Sequence, residues 1–204
     1  MPDIPLFLLA SAILTLAPGP DNLQVLARGM AQGRAAALAA TCGFASGVAF
    51  HTALAISGVA LLIRSSPGVF GTLRYAGAAY LAWLGLHALL VPARGFTRGP
   101  AAAEPLAAIY RRSVLGNVLN PKVSLFFLAF LPQFLKPEAG GMEMQMALLG
   151  LLFMVQTLVI FGAIGGFAAA LGHWLRRHAA AGPWLDRAAG AVFVAVALRL
   201  AMGA

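Results

Sequence analysis

Pro18-Gly19-Pro20-Asp21-Asn22 breaks an apolar stretch long enough to cross a membrane, and Asn120-Pro121-Lys122 breaks another in the second half of the chain. Each break carries the one acid or base expected at depth in its segment. A backbone group without a partner in lipid costs several kcal/mol, so unwound chain persists there only where protein or a water-filled cavity surrounds it. Two interruptions at corresponding places in two halves of a chain point to a transporter's binding site.

Around these breaks the 204 residues are 61% hydrophobic and 10% charged, with mean hydropathy +0.87. Soluble domains carry about 25% charged residues, so composition predicts an all-α integral membrane protein. A crossing takes about 20 residues, and the chain offers six segments of that order with short loops between them. The net charge of +8 does not imply nucleic acid: the arginines stand singly or in pairs between apolar spans, as topogenic charges do. No basic face with interleaved aromatics exists to track a phosphate backbone. Cys42, the single cysteine, forbids an intramolecular disulfide or a dithiol relay, and among small residues it reads as a packed thiol. Asp3 and the Pro-Gly-Pro-Asp stretch argue against a cleaved signal peptide, so the N-terminus reads as retained.

The first span, 4–31, is predicted helical to about Ala17 and again from about Pro20. Proline suits the first turn of a helix, and Ala17 and Gly19, each preceding a proline, are pushed out of the helical region. Two half-helices result. The second span, 35–63, carries Gly43 and Gly47 on one face, which allows close helix approach, and a lone His51 that reads first as a hydrogen-bonded packing residue. The third, 69–91, holds Tyr75, Tyr80 and Trp83, rings suited to the headgroup level. A polar loop, 92–112, follows. The fourth span, 113–135, contains Asn117, then Asn120 as a helix cap with Pro121 next to it, and closes at Pro132-Gln133-Phe134. The fifth covers about 144–172 and the sixth 184–202.

The halves echo each other, in the two breaks and in Arg74-Tyr75-Ala76-Gly77-Ala78 against Arg187-Ala188-Ala189-Gly190-Ala191. The expected organisation is one transporter domain over 1–204, with repeat one at 1–91 and repeat two at 113–204. Three spans per repeat make the repeats inverted. Arg28, Arg34, the loop residues Arg94, Arg98, Arg111 and Arg112, and Arg176, Arg177 and Arg187 outnumber Arg64, Arg74, Lys136 and Arg199 on the other side. The positive-inside rule then places both termini in the periplasm. A re-entrant first segment would change that assignment.

At the breaks, Asp21 stands in the first turn of a half-helix, where the helix dipole favours a carboxylate while burial opposes charge. Lys122 stands just after its own break. Brought together, they would offer an acid, a cation and unpaired backbone dipoles, a set that matches a zwitterionic amino acid. The alternative is an Asp21–Lys122 ion pair that only clamps the halves. Asn22, Gln24, Asn117, Asn120 and Gln133 are the polar side chains within reach, and Pro18, Gly19, Pro20 and Pro121 shape the breaks.

These residues, with Gly77-Ala78-Ala79-Tyr80-Leu81, Phe126-Phe127 and Leu131-Pro132-Gln133-Phe134, resemble the LysE/RhtB family of amino-acid exporters over essentially the whole chain. The resemblance implies an inner-membrane carrier, not an enzyme, that exports amino acids or close derivatives on the proton-motive force. It implies protons as coupling ion; composition implies membrane lipid as surroundings, and glycine-lined faces leave a homodimer open. The resemblance implies no cofactor and names no single substrate. The runner-up is a divalent-metal exporter, which would need several carboxylates or imidazoles at depth where Asp21 and His51 alone qualify. With one buried acid, cationic substrates are less favoured.

Overall fold

The computed structural model describes residues 2–17, 19–59, 67–91, 103–136, 139–178 and 181–202. Pro18, Arg64, Glu138 and the loop residues Pro92, Arg94, Arg98 and Pro100 lie outside the described residues. Among the described residues every regular element is helical. The elements are α1 (Ile4–Leu16), α2 (Pro20–Gln32), α3 (Arg34–Leu54), α4 (Pro67–Leu90), α5 (Leu106–Val118), α6 (Pro121–Leu125), α7 (Met142–Gly166), α8 (Ala168–Arg177) and α9 (Ala181–Met202). A π-turn, Ala55–Val59, continues α3, while a second π-turn, Phe126–Phe130, and a 3-10 turn, Leu131–Phe134, continue α6.

Both expected breaks are present. The axes of Ile4–Leu16 and Pro20–Gln32 differ by 59°, and those of Leu106–Val118 and Pro121–Phe134 by 47°. Proline supplies the reason at each: it lacks the N–H that would continue the ladder, and it fits the first turn of the helix that follows. Arg34–Gly58 and Met142–Gly166 are each long and apolar enough to cross a membrane, and each bent pair adds one more candidate. Helices α4 and α9, of 24 and 22 residues, pack along each other.

Four local expectations change. The polar loop ends earlier than 112, because Leu106-Ala107-Ala108-Ile109 are able helix formers and α5 begins there, with Arg111 and Arg112 exposed on its surface. The fifth span ends at Gly166, and the chain turns at Phe167 into the separate α8. Cys42 is exposed on α3, because its neighbours Thr41 and Gly43 occupy the packed face. Arg28 is a buried residue of α2, not a loop charge, and pairs with Glu104 at 2.7 Å.

Close packing at glycine holds the halves together. A Cβ on Gly85 would lie 2.7 Å from the carbonyl oxygen of Gly190, and a Cβ on Gly190 would lie 2.7 Å from that of Gly85. At Gly43 a Cβ would strike the Tyr110 carbonyl, so α3 and α5 approach at backbone distance. Between membrane helices such contacts carry the association, since lipid tails are as apolar as leucine. Gly33, with φ +82°, makes the turn from α2 into α3 in a conformation that L side chains rarely adopt. Beside the breaks an aromatic cluster fills the interior: Phe126 and Phe127 stand 5.3 and 5.2 Å from Phe153, ring centre to ring centre.

Candidate functional site

The two breaks meet. Gly19, Pro20, Asp21 and Asn22 from the first, and Asn117, Asn120 and Lys122 from the second, line one cavity with Leu14, Thr15, Val123, Phe153, Thr157 and Phe161. Its volume is about 20 Å³, room for about one water. Side chains more than ninety residues apart in sequence therefore share one small cavity, since Asn117 Nδ2 reaches Asp21 Oδ2 at 3.4 Å across a sequence separation of 96.

Each broken helix end finds partners across the breaks. Helix α1 ends with carbonyls that no later amide of its own can take, because the chain unwinds before Pro20. Asn22 Nδ2 donates to the Thr15 carbonyl at 2.7 Å, and Lys122 Nζ donates to the Ala17 carbonyl at 3.1 Å. A cation at a helix C-terminus also meets the negative end of the macrodipole. The ammonium lies 5.8 Å from the centre of the Phe193 ring on α9, within cation–π range.

In the second half, Pro121 cannot donate to the Asn117 carbonyl four residues back. His51 Nε2 takes that carbonyl at 3.0 Å, so the ring is buried as a packing residue and carries its proton on Nε2. Gly47 brings α3 close enough for this: a Cβ there would stand 2.6 Å from Cβ of Asn117. The Asn117 side chain is thereby held toward Asp21.

The two helix starts differ. Asn120 caps α6 through Oδ1 to the Lys122 amide at 3.0 Å, and its carbonyl accepts from the Val123 and Ser124 amides. Gly19 offers no side-chain cap to α2, whose first helical bond runs from the Leu23 amide to the Gly19 carbonyl. The Asp21 and Asn22 amides thus precede the ladder, at a helix end that attracts anions.

Asp21 and Lys122 make no direct ion pair within 4 Å, although each lies in the other's electrostatic field. Asp186 on α9 also acts on Lys122. Two expected residues are elsewhere. Gln24 turns from the cavity to donate to Ser113 Oγ at 2.9 Å, and Gln133 sits in the 3-10 turn beyond the aromatic cluster. Thr15, Thr157 and Asp186 were absent from the expected set.

The family model described as LysE type translocator matches residues 12–204. The chain is similar to the leucine efflux protein of Klebsiella pneumoniae subsp. pneumoniae, 39% identical over 136 residues, or 65% of this chain and 63% of that protein. The match thus spans less than two thirds of that relative's length. A homoserine/homoserine lactone efflux protein of Salmonella typhimurium is 28% identical over 199 residues, covering 96% of this chain and 94% of the relative. An uncharacterized membrane protein of Vibrio cholerae serotype O1 is 32% identical over 177 residues, 83% of this chain and 82% of that one. No solved structure matches the chain.

Proposed function

The chain belongs to the family of LysE type translocators, and on that premise we propose that it is a secondary-active exporter of uncharged amino acids whose substrate binds where the two helix breaks meet. The observation that carries this reading is the shared cavity, which gathers the Asp21 carboxylate, the Lys122 ammonium and the uncapped start of α2 among apolar walls. In this reading the substrate carboxylate takes the α2 amides and Lys122, while its ammonium takes Asp21. Leu14, Val123, Phe153 and Phe161 face the side chain. The names of the leucine and homoserine efflux relatives support an uncharged amino acid.

The cavity is smaller than an amino acid, so transport requires the half-helices to part. Bent helices at the breaks give natural pivots for alternating access. The proposed frame is six spans in two inverted repeats, about 1–91 and 113–204, in the bacterial inner membrane with both termini periplasmic. The pairings α3 with α7 and α4 with α9 support it, since a local twofold axis would map each pair onto itself. Asp21 is the proposed proton carrier, as the acid that lines the cavity. No group of three His, Cys, Asp or Glu side chains gathers among the described residues, so the metal-exporter alternative gains no support.

Proteoliposomes loaded with labelled leucine, homoserine and a panel of other amino acids test the proposal with and without a pH gradient. Gradient-stimulated efflux of one or a few uncharged amino acids is expected. Efflux of none of them would sink it.

A further inference from the structure

Phe153, Thr157 and Phe161 follow one another at intervals of four on α7 and all line the cavity, so one face of that helix forms a wall. Thr157 places a hydroxyl between the two rings. The residue is 2% exposed, and its Oγ1 has no hydrogen-bond partner among the described residues. A helical threonine usually returns its hydroxyl to the carbonyl one turn back. Thr15 does so to Ser11 at 2.8 Å and Thr52 to Val48 at 2.9 Å. Thr157 makes no such bond. A buried hydroxyl facing a polar cavity without an intramolecular bond is poised for a ligand, because leaving it unpaired is costly.

Helix α7 packs on both α1 and α2, and Thr157 and Asp21 line the same cavity. An α-ammonium held there, with three N–H donors, needs oxygens beyond one carboxylate.

We infer that Thr157 is a substrate ligand, adding a neutral oxygen beside Asp21 and, with Phe153 and Phe161, shaping a site for an aliphatic amino acid. This rests on the exporter reading above and goes beyond it by assigning the missing oxygen.

Leucine exchange in proteoliposomes without a pH gradient, measured for wild type, Thr157→Val, Thr157→Ala and Thr157→Ser, tests it. Valine keeps the shape and loses the hydroxyl; alanine adds no bulk should valine fail to pack. The expected result is a rise of about tenfold in half-saturation for the valine and alanine variants, a saturating rate within about twofold of wild type, and recovery of half-saturation by serine. Unchanged half-saturation in the valine and alanine variants overturns the inference, as does serine being as impaired as valine. Wild type that exchanges no amino acid overturns the exporter reading and this inference with it. Wild type that exchanges leucine, matched by the valine variant, overturns this inference alone.

Discussion

Lys122 Nζ donates to the carbonyl oxygen of Ala17 at 3.1 Å, so a side chain from the second break closes the open end of the helix at the first. The ammonium thus caps α1, and in the proposed function it also faces the substrate carboxylate. Hydrogen bonds to charged groups contribute about 1.5–3 kcal/mol. Lys122→Ala is expected to lower the unfolding temperature in detergent and to raise half-saturation for amino-acid efflux by about tenfold or more. A variant that loses stability but keeps its half-saturation would reduce Lys122 to a helix cap.

Asp21→Asn tests the proposed coupling role. The side chain keeps its shape and its place beside Asn117 but cannot carry a proton. The expected outcome is loss of uphill, gradient-driven export while exchange down a concentration gradient persists at a reduced rate. The check is a paired measurement of the same proteoliposomes in both modes. Undiminished uphill export by the variant would remove Asp21 from the coupling step.

Gly47→Ala tests whether backbone approach sets the geometry of the site. The added methyl would lie 2.6 Å from Cβ, 2.7 Å from Oδ1 and 2.9 Å from Cγ of Asn117, so the asparagine must shift and its contact with Asp21 changes. Overpacking of this kind costs about 1–3 kcal/mol. Efflux should fall several-fold together with the unfolding temperature. Gly162→Ala, where no described residue lies within 4 Å of the added methyl, should behave as wild type and serves as the control. Equal effects of the two substitutions would mean that glycine acts through chain flexibility instead of through contact with Asn117.

What was legible in the sequence was local chemistry. Pro20 and Pro121 end their ladders wherever they stand, Asn120 followed by proline reads as a cap, and Gly43 with Gly47 reads as a close approach; all recur in the structure. What was not legible depends on which way a helix faces. Cys42 looked packed because its neighbours are small, yet α3 turns Thr41 and Gly43 inward and leaves it outside. Thr157 is one hydroxyl in a long apolar helix, and only the packing of α7 shows that it faces Asp21's cavity. Gln24 and Gln133 lay near the breaks in sequence, but helix rotation sends the first to Ser113 and chain direction carries the second away. Arg28 counted as a topogenic loop charge until its partner, Glu104, appeared 76 residues on.

Glu104 supports a prediction in pH. Its half-buried carboxylate accepts from Arg28 at 2.7 Å and Arg112 at 2.8 Å, while its backbone carbonyl accepts from Gln32 Nε2 at 3.1 Å. It therefore ties α2 to the residues that lead into α5. The hydrogen bond from Arg28, aided by the charge of both arginines, holds the carboxyl below its usual value of 4.5, against a smaller opposing effect of burial. A carboxyl with a lowered folded-state pKa binds protons more readily in the unfolded chain, so its stabilisation is present in full above about pH 4.5 and is lost as pH falls through the lower folded value. Glu104→Gln should unfold at a lower temperature than wild type at pH 7. The difference should shrink as the pH is taken below 4.5, because wild type loses there what the variant never had. Unfolding temperatures of both proteins in detergent between neutral pH and about pH 3 supply the check. Curves that stay parallel across that range would show that the carboxylate adds nothing beyond the shape of its side chain.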